Sequence, residues 1–269
     1  RGAEIPRGVP QVLTDGTQPK LPAKSSGRLE FAQWVTDPSH PLTSRVMVNR
    51  IWHHLFGKGI VRTVDNFGHS GERPSHPQLL DHLALRFAGD MNWSIKTLIK
   101  TIVLSHSYRL ASQHSENNYA IDPGNALFWR ANVRRLEAEA LRDAMMSVSG
   151  TLNLEPVKGS LVQNLKAGEV GRNGGIQSLK SFTHRSVYLP IVRNYVPEFL
   201  QIFDFAEPSS VIGRRDITTV STQALFLLND KFVIEQSNAT AKRLLNDERL
   251  DNLEERIAGA YLLAFGRTP

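Results

Sequence analysis

The apolar positions along the chain recur mostly at helical spacing. Residues 28–36, RLEFAQWVT, read as a short amphipathic helix. Val48, Ile51, Trp52, Leu55 and Phe56 fall at i, i+3, i+4, i+7 and i+8, which is one buried helix face, and Gly57 and Gly59 end it. Leu79, Leu80, Leu83, Ala84 and Phe87 mark a second such face. A third helix follows, with Ser94 as N-cap and Trp93 and Leu98 where a hydrophobic staple would sit. Its stripe is Ile95, Leu98, Ile99, Ile102 and Val103. Further helices are expected over about 136–148, 221–245 and 250–265.

Two stretches break the pattern. Residues 155–185 include GSLVQNLKAGEVGRNGG, which lacks periodicity and reads as a long, mobile, glycine-rich loop. The following RSVYLPIVRN alternates like a strand through residues 186–192, with Pro190 restricting it to a sheet edge. The expected fold is therefore mainly α: a multi-helix domain with a small β element and a long glycine-rich loop, without internal repeats. Residues 1–27 are rich in Pro, Gly, Lys and Ser and read as a linker or the tail of an upstream module. Residues 28–269 form the helical domain, with two lobes, 28–150 and 186–269, joined by the loop. The chain reads as part of a longer protein.

Composition narrows the classes. With 269 residues, 41% hydrophobic and 22% charged, the chain can bury one large or two modest cores. No apolar run approaches the roughly 18 residues that cross a bilayer, and no stretch has the form of a signal peptide. The absence of cysteine excludes thioether haem attachment, iron–sulfur clusters, thiolate zinc sites and disulfides within this chain. The net charge of +6 is modest and its basic residues are scattered, so a nucleic-acid partner is not expected.

Six segments carry a resemblance: RGAEIPRGVP; RLEFAQWVTDPSHPLTSRVMVNRIWHHLFGKGIVRTVDNFGHSGERPSHPQLLDHLA; LSHSYRLAS; RRLEAEALRDAMMSVSG; HRSVYLPIVRN; and RRDITTVSTQALFLLND. In order and wording the chain resembles the planctomycete-specific domain of unknown function found at the C-terminal end of large secreted bacterial proteins. The resemblance covers nearly the whole chain. Three features depart from it: glycines displaced to Gly174 and Gly175, His184 where arginine is common, and Arg73 where a second proline is common. The resemblance implies a periplasmic or secreted location, a haem c module elsewhere in the same polypeptide, and a setting of polysaccharide utilisation. It supplies no reaction, and with no cysteine no cofactor is expected in this chain itself. The expected partners are the other domains of the same polypeptide and an anionic or sulfated glycan.

Three constellations could carry chemistry. The first is histidine-rich. Asn49 and His53, and Arg50 and His54, are each four residues apart along one helix, on the two flanks of its apolar stripe. The segment FGHSGERPSHP beyond it adds His69, Glu72 and His76, with Asp65 just before. Three such side chains converging would hold a divalent ion and serve a metal-assisted hydrolase or another carbohydrate-active enzyme. No HExxH spacing occurs, however, and adjacent helix histidines point about 100° apart. The alternative is a structural connector between two helices. In that reading Gly68 and Gly71 supply turn conformations, Ser75 forms a capping box with Gln78, and Asn49 is structural. The second constellation is Glu139 and Asp143 on one helix face, with Arg135 and Arg142 within a turn. That spacing suits acid–base work or an ion-pair ladder. The third is Arg214 and Arg215 ahead of the helix starting near Ser221. There an anion, such as a sulfated glycan, could bind, or the arginines could tie the loop to Asp204 or Asp216 with Thr219 or Ser221 as N-cap. GEVGRNGG is not a phosphate-binding loop, since no Lys-Ser/Thr follows it. Three functions remain in view: an accessory or ligand-binding module, an enzyme using the histidine cluster, and a docking platform that would show a large exposed apolar patch.

Overall fold

A computed structural model of the chain describes residues 2, 6–22, 24–164, 182–192 and 196–269. It is mainly helical and divides into two compact units, Arg1–Arg134 and Arg135–Pro269. The division falls ahead of the expected fourth helix, which therefore packs in the second unit. The glycine-rich stretch around Gly174 and Gly175 lies outside the described residues.

Unit 1 is built on α1 (Arg28–Val35), α2 (Thr43–Phe56), α3 (Pro77–Ala88), α4 (Ile95–Val103) and the short α5 (Glu116–Ile121). The periodicity puts Val48, Ile51, Trp52 and Phe56 of α2 inside, against Leu80, Leu83 and Phe87 of α3 and Leu98 and Ile102 of α4. Trp52 stacks on Phe56 with centroids 4.2 Å apart, and Phe128 closes edge-on against both. Each fully buried side chain of this size contributes roughly 1.5–3 kcal/mol. Gly57, at φ 79°, ends α2 in the left-handed conformation that a Cβ disfavours. The chain then doubles back so that Val61 meets Asn49. The amide of Asn49, fully buried, donates to the Val61 carbonyl at 2.9 Å and accepts from the Val61 N–H at 2.8 Å. This replaces two backbone bonds that no helix or sheet provides at this reversal. Ser94 caps α4 as its position predicts, accepting from Thr97 N at 3.2 Å. Ser94→Ala should cost about 1 kcal/mol in chemical unfolding, and a neutral result would show that the bond is not maintained in solution.

Unit 2 comprises α6 (Ala138–Ser149), α7 (Glu198–Ile202), α8 (Ser221–Asn229), α9 (Lys231–Leu245) and α10 (Leu253–Phe265). Ala138, Leu189, Phe199, Leu200 and Phe203 form its core, with Phe226 and Phe232 packed edge-on around Phe199 at 5.6 and 5.7 Å. The helix expected over 221–245 is two helices. Asp230 leaves the helical conformation at ψ 137°, ends α8, and caps α9 by accepting from Phe232 N. A short carboxylate at this position satisfies a helix N-terminus better than it continues a helix.

The strand expected over 186–192 is absent. Residues Ser186–Tyr188 make a 3-10 turn, because both the N–H and the hydroxyl of Ser186 are taken by the Asp143 carboxylate at 2.8 and 2.6 Å. Among the described residues the β structure reduces to isolated bridge positions: a parallel bridge joins Asn153 to His184, and Val192 is a further bridge residue. No helix of the described residues is long and apolar enough to cross a membrane.

Candidate functional site

The connector between α2 and α3 organises itself through its own backbone. Asn66 Oδ1 accepts from Gly68 N at 2.9 Å, Thr63 Oγ1 donates to Asn66 O at 2.8 Å, and Glu72 N donates back to Thr63 Oγ1 at 3.0 Å. Neither Gly68 nor Gly71 adopts a positive φ. Gly71 is needed for close approach instead, since a Cβ there would lie 2.1 Å from the Asn66 carbonyl oxygen. Ser75 does not cap α3. The N-cap position is His76, with Pro77 opening the helix, so Ser75 stands one residue too early. Its N–H and hydroxyl both donate to the Ile60 carbonyl, at 2.9 and 3.2 Å, which ties the end of the connector to its beginning.

The histidines of this region do not converge. His54 and His69 are exposed, as is Glu72, while His53 and His76 are partly buried. Asp65 faces Arg50 at 3.4 Å, His76 bonds Ser75 Oγ and lies 5.8 Å from the Phe128 ring, and the rings of His53 and His54 stand 5.6 Å apart at 65°. Among the described residues no three His, Asp or Glu side chains are grouped to hold a metal ion. The chain spends this segment on connecting two helices, and that spreads its titratable groups over the outside of the turn.

In unit 2 Glu139 and Arg135 find their partners on other elements, not along α6. Arg215 forks onto Glu139 at 2.6 and 2.8 Å, approaches Glu137 at 3.5 Å, and lies 5.0 Å over the Phe205 ring. Burial alone would raise the Glu139 carboxyl, but this fork outweighs it and holds the group below the usual carboxylate range. The guanidinium expected to receive an anion thus already holds an internal one. Arg214 is exposed, and Ser221 is the first residue of α8 behind an N-cap, Val220, that has no acceptor of its own. Arg135 pairs with Asp204 and also donates to the Thr218 carbonyl and to Gln223 Oε1. Asp204 in turn accepts the Thr218 N–H and hydroxyl at 2.9 and 2.8 Å. Arg142 is buried beside Asp143 and donates to the carbonyls of Phe182 and His184 and to Ser186 Oγ. Arg135, Arg142 and Arg215 are thus each bound into closed networks of the fold.

A cavity lies elsewhere, in a part of unit 1 that composition marks as a linker. The turn Gln11–Leu13 and the residues after it face the end of α1 and the turn into α2, around a cleft of about 440 Å³. Asp15, Thr17, Trp34, Asp37, Ser39 and His40 line it, with Val12, Leu13, Thr14 and Pro41. Trp34 is partly buried and meets the His40 ring edge to face, centroids 4.5 Å apart. His40 is 8% exposed, and its Nδ1 accepts from the backbone N–H groups of Leu42 and Thr43, at 3.3 and 3.2 Å, and from Thr43 Oγ1 at 2.9 Å. It therefore supplies the N-terminal cap of α2 that Leu42 cannot. Its other nitrogen, Nε2, is buried without a hydrogen-bond partner among the described residues. The signal for this site stands in DPSHP, residues 37–41, a serine and a histidine held between prolines with an aspartate just before them. Periodicity gave no reason to single it out.

A family model matches residues 27–269, nearly the whole chain; its description is PSD1, a protein of unknown function (DUF1553). No curated protein and no solved structure matches the chain.

Proposed function

Because the chain belongs to the PSD1 (DUF1553) family of proteins of unknown function, and because unit 1 carries a lined cleft, we propose that it is an accessory, ligand-binding module. In this reading it serves a larger secreted, cytochrome-linked protein engaged in glycan utilisation, and the cleft holds the glycan. The observation that supports the reading is the cleft itself: about 440 Å³, lined by a partly buried indole, a buried imidazole, carboxylates and hydroxyls. That is the surface a sugar ring fits, with an aromatic face for its C–H groups and short polar side chains for its hydroxyls. Haem chemistry, where the assembly needs it, comes from another module, since this chain has no cysteine to hold haem c. The secreted setting, the haem partner and the glycan rest on the resemblance of the quoted segments, and the cleft supplies a place for the ligand. The hydrolase reading has no comparable support, because His54 on α2 and Asp65, His69, Glu72 and His76 in the connector beyond it are not grouped together.

The test is isothermal titration of the protein with a panel of oligosaccharides, repeated with Trp34→Ala. Binding that weakens about tenfold or more in the variant, the equivalent of one stacking contact, is the expected outcome. Absence of heat with every oligosaccharide, or binding unchanged in Trp34→Ala, would remove the cleft as the site.

A further inference from the structure

The choice of ligand rests on the proposed function, in which the cleft is the binding site; given that site, the chemistry of its wall narrows the class. Two of the lining residues are carboxylates, Asp15 and Asp37, and none is lysine or arginine. Asp37 Oδ1 accepts both the N–H and the hydroxyl of Ser39, at 2.8 and 2.5 Å, and Asp15 Oδ1 accepts from Thr17 N at 3.0 Å. The second oxygen of each carboxylate makes no hydrogen bond among the described residues. The Ser39 bonds hold the Asp37 carboxyl below the usual range, so it is an anion throughout the neutral range.

The state of His40 is set by its partners. A backbone N–H can only donate, so Nδ1, which receives two of them, carries no proton. Burial pushes the imidazole below its usual pKa, against the weaker pull of Asp37. The ring is thus neutral, with its single proton on Nε2. That N–H is buried, with no hydrogen-bond acceptor among the described residues, and His40 adds no charge to the cleft that it helps to line.

The wall therefore presents two anionic acceptors and an indole, with no cationic side chain among its lining residues. An anionic ligand meets two like charges. A neutral sugar draws nothing from the charge. A ligand with an ammonium group uses both, the cation lying between carboxylates and indole. We propose that the cleft binds an amino-bearing polyol, of the class of the unacetylated amino sugars, with Asp15, Asp37 and Trp34 taking the ammonium.

The experiment compares three trisaccharides by isothermal titration at low ionic strength: one of glucosamine, one of N-acetylglucosamine and one of glucose. The glucosamine trimer should bind at least about tenfold more tightly than either neutral trimer, and added salt should narrow the gap by screening the exposed carboxylates. Asp15→Asn and Asp37→Asn should each remove most of that preference. The two variants are independent, so a disturbed Ser39 turn in one leaves the other informative, and unchanged melting temperature identifies the sound one. Neutral trimers that bind as tightly as the amino trimer would overturn the amino-sugar assignment and leave the sugar-binding reading standing. A preference untouched in both asparagine variants would overturn it as well. No binding by any of the three trimers would remove both.

Discussion

Replacing Asn49 with leucine is expected to destabilise unit 1 by about 3–5 kcal/mol, a large part of what a unit of this size possesses. The substitution keeps the branched shape and adds apolar surface at a site with no solvent exposure, so a purely hydrophobic account would predict little change or a gain. The opposite is expected because two backbone groups depend on this amide. Val61, itself 2% exposed, would keep a buried N–H and a buried carbonyl with nothing to bond, each costing roughly 1–3 kcal/mol. The surroundings cannot adjust to supply replacements. A Cβ on Gly59 would already lie 2.4 Å from the Val61 oxygen and 2.9 Å from Asn49 Nδ2, so the reversal has no slack on that side. Denaturant unfolding followed by circular dichroism measures the change. A loss under about 1 kcal/mol would mean that water or a shifted backbone takes over the role of the amide.

Unit 2 should respond in the same way to Arg142→Met, at a cost of about 2–4 kcal/mol. Methionine keeps most of the apolar stem packed between the Phe182 and Phe232 rings, which lie 5.8 and 5.7 Å from the guanidinium carbon. The head group is what disappears, and with it the donors to Phe182 O, His184 O and Ser186 Oγ. Asp143 is left facing Ser186 without the positive charge 3.8 Å away. Burial already lowers the hold of Arg142 on its proton, which shows how much desolvation the network has to offset. Ser186→Ala serves as the comparison. It removes one hydroxyl bonded to Arg142 and Asp143 and should cost less, about 1 kcal/mol. If Arg142→Met proved no worse than Ser186→Ala in the same unfolding assay, the buried guanidinium would not be what fastens α6 to residues 182–186.

Much of this architecture is legible in the order of apolar residues. Helices α2, α3 and α4 follow from single-face spacing, and the Ser94 cap follows from one side chain before one helix. What stayed hidden has physical causes. The break at Asp230 sits inside a run whose apolar spacing continues on both sides, and only the choice of that carboxylate to bond Phe232 N divides it. Ser186 and its neighbours alternate like a strand, but Asp143, some forty residues earlier, takes the donors that a sheet partner would have used. The charges of α6 read as a ladder within one helix because sequence spacing sees only i+3 and i+4, whereas Glu139 and Arg135 found Arg215 and Asp204 far along the chain. The cleft was the least legible feature. Its walls come from residues 12–17 and 34–41, and the first of these has the Pro- and Gly-rich composition that ordinarily marks a tether. Nothing in the pattern of a linker indicates that it folds back over a tryptophan.

The placement of aromatic residues has a consequence for anyone observing the protein by light. All four tryptophans, Trp34, Trp52, Trp93 and Trp129, precede Arg134 and so belong to unit 1. Unit 2 holds phenylalanine and tyrosine alone. Indole emission excited at its red edge is therefore a report from one half of the chain, while the backbone signal in the far ultraviolet sums over both. Recorded together on one denaturant series, the two signals act as separate channels: coincident curves mean that the halves melt as one, and a backbone change with silent indoles is the spectrum of unit 2.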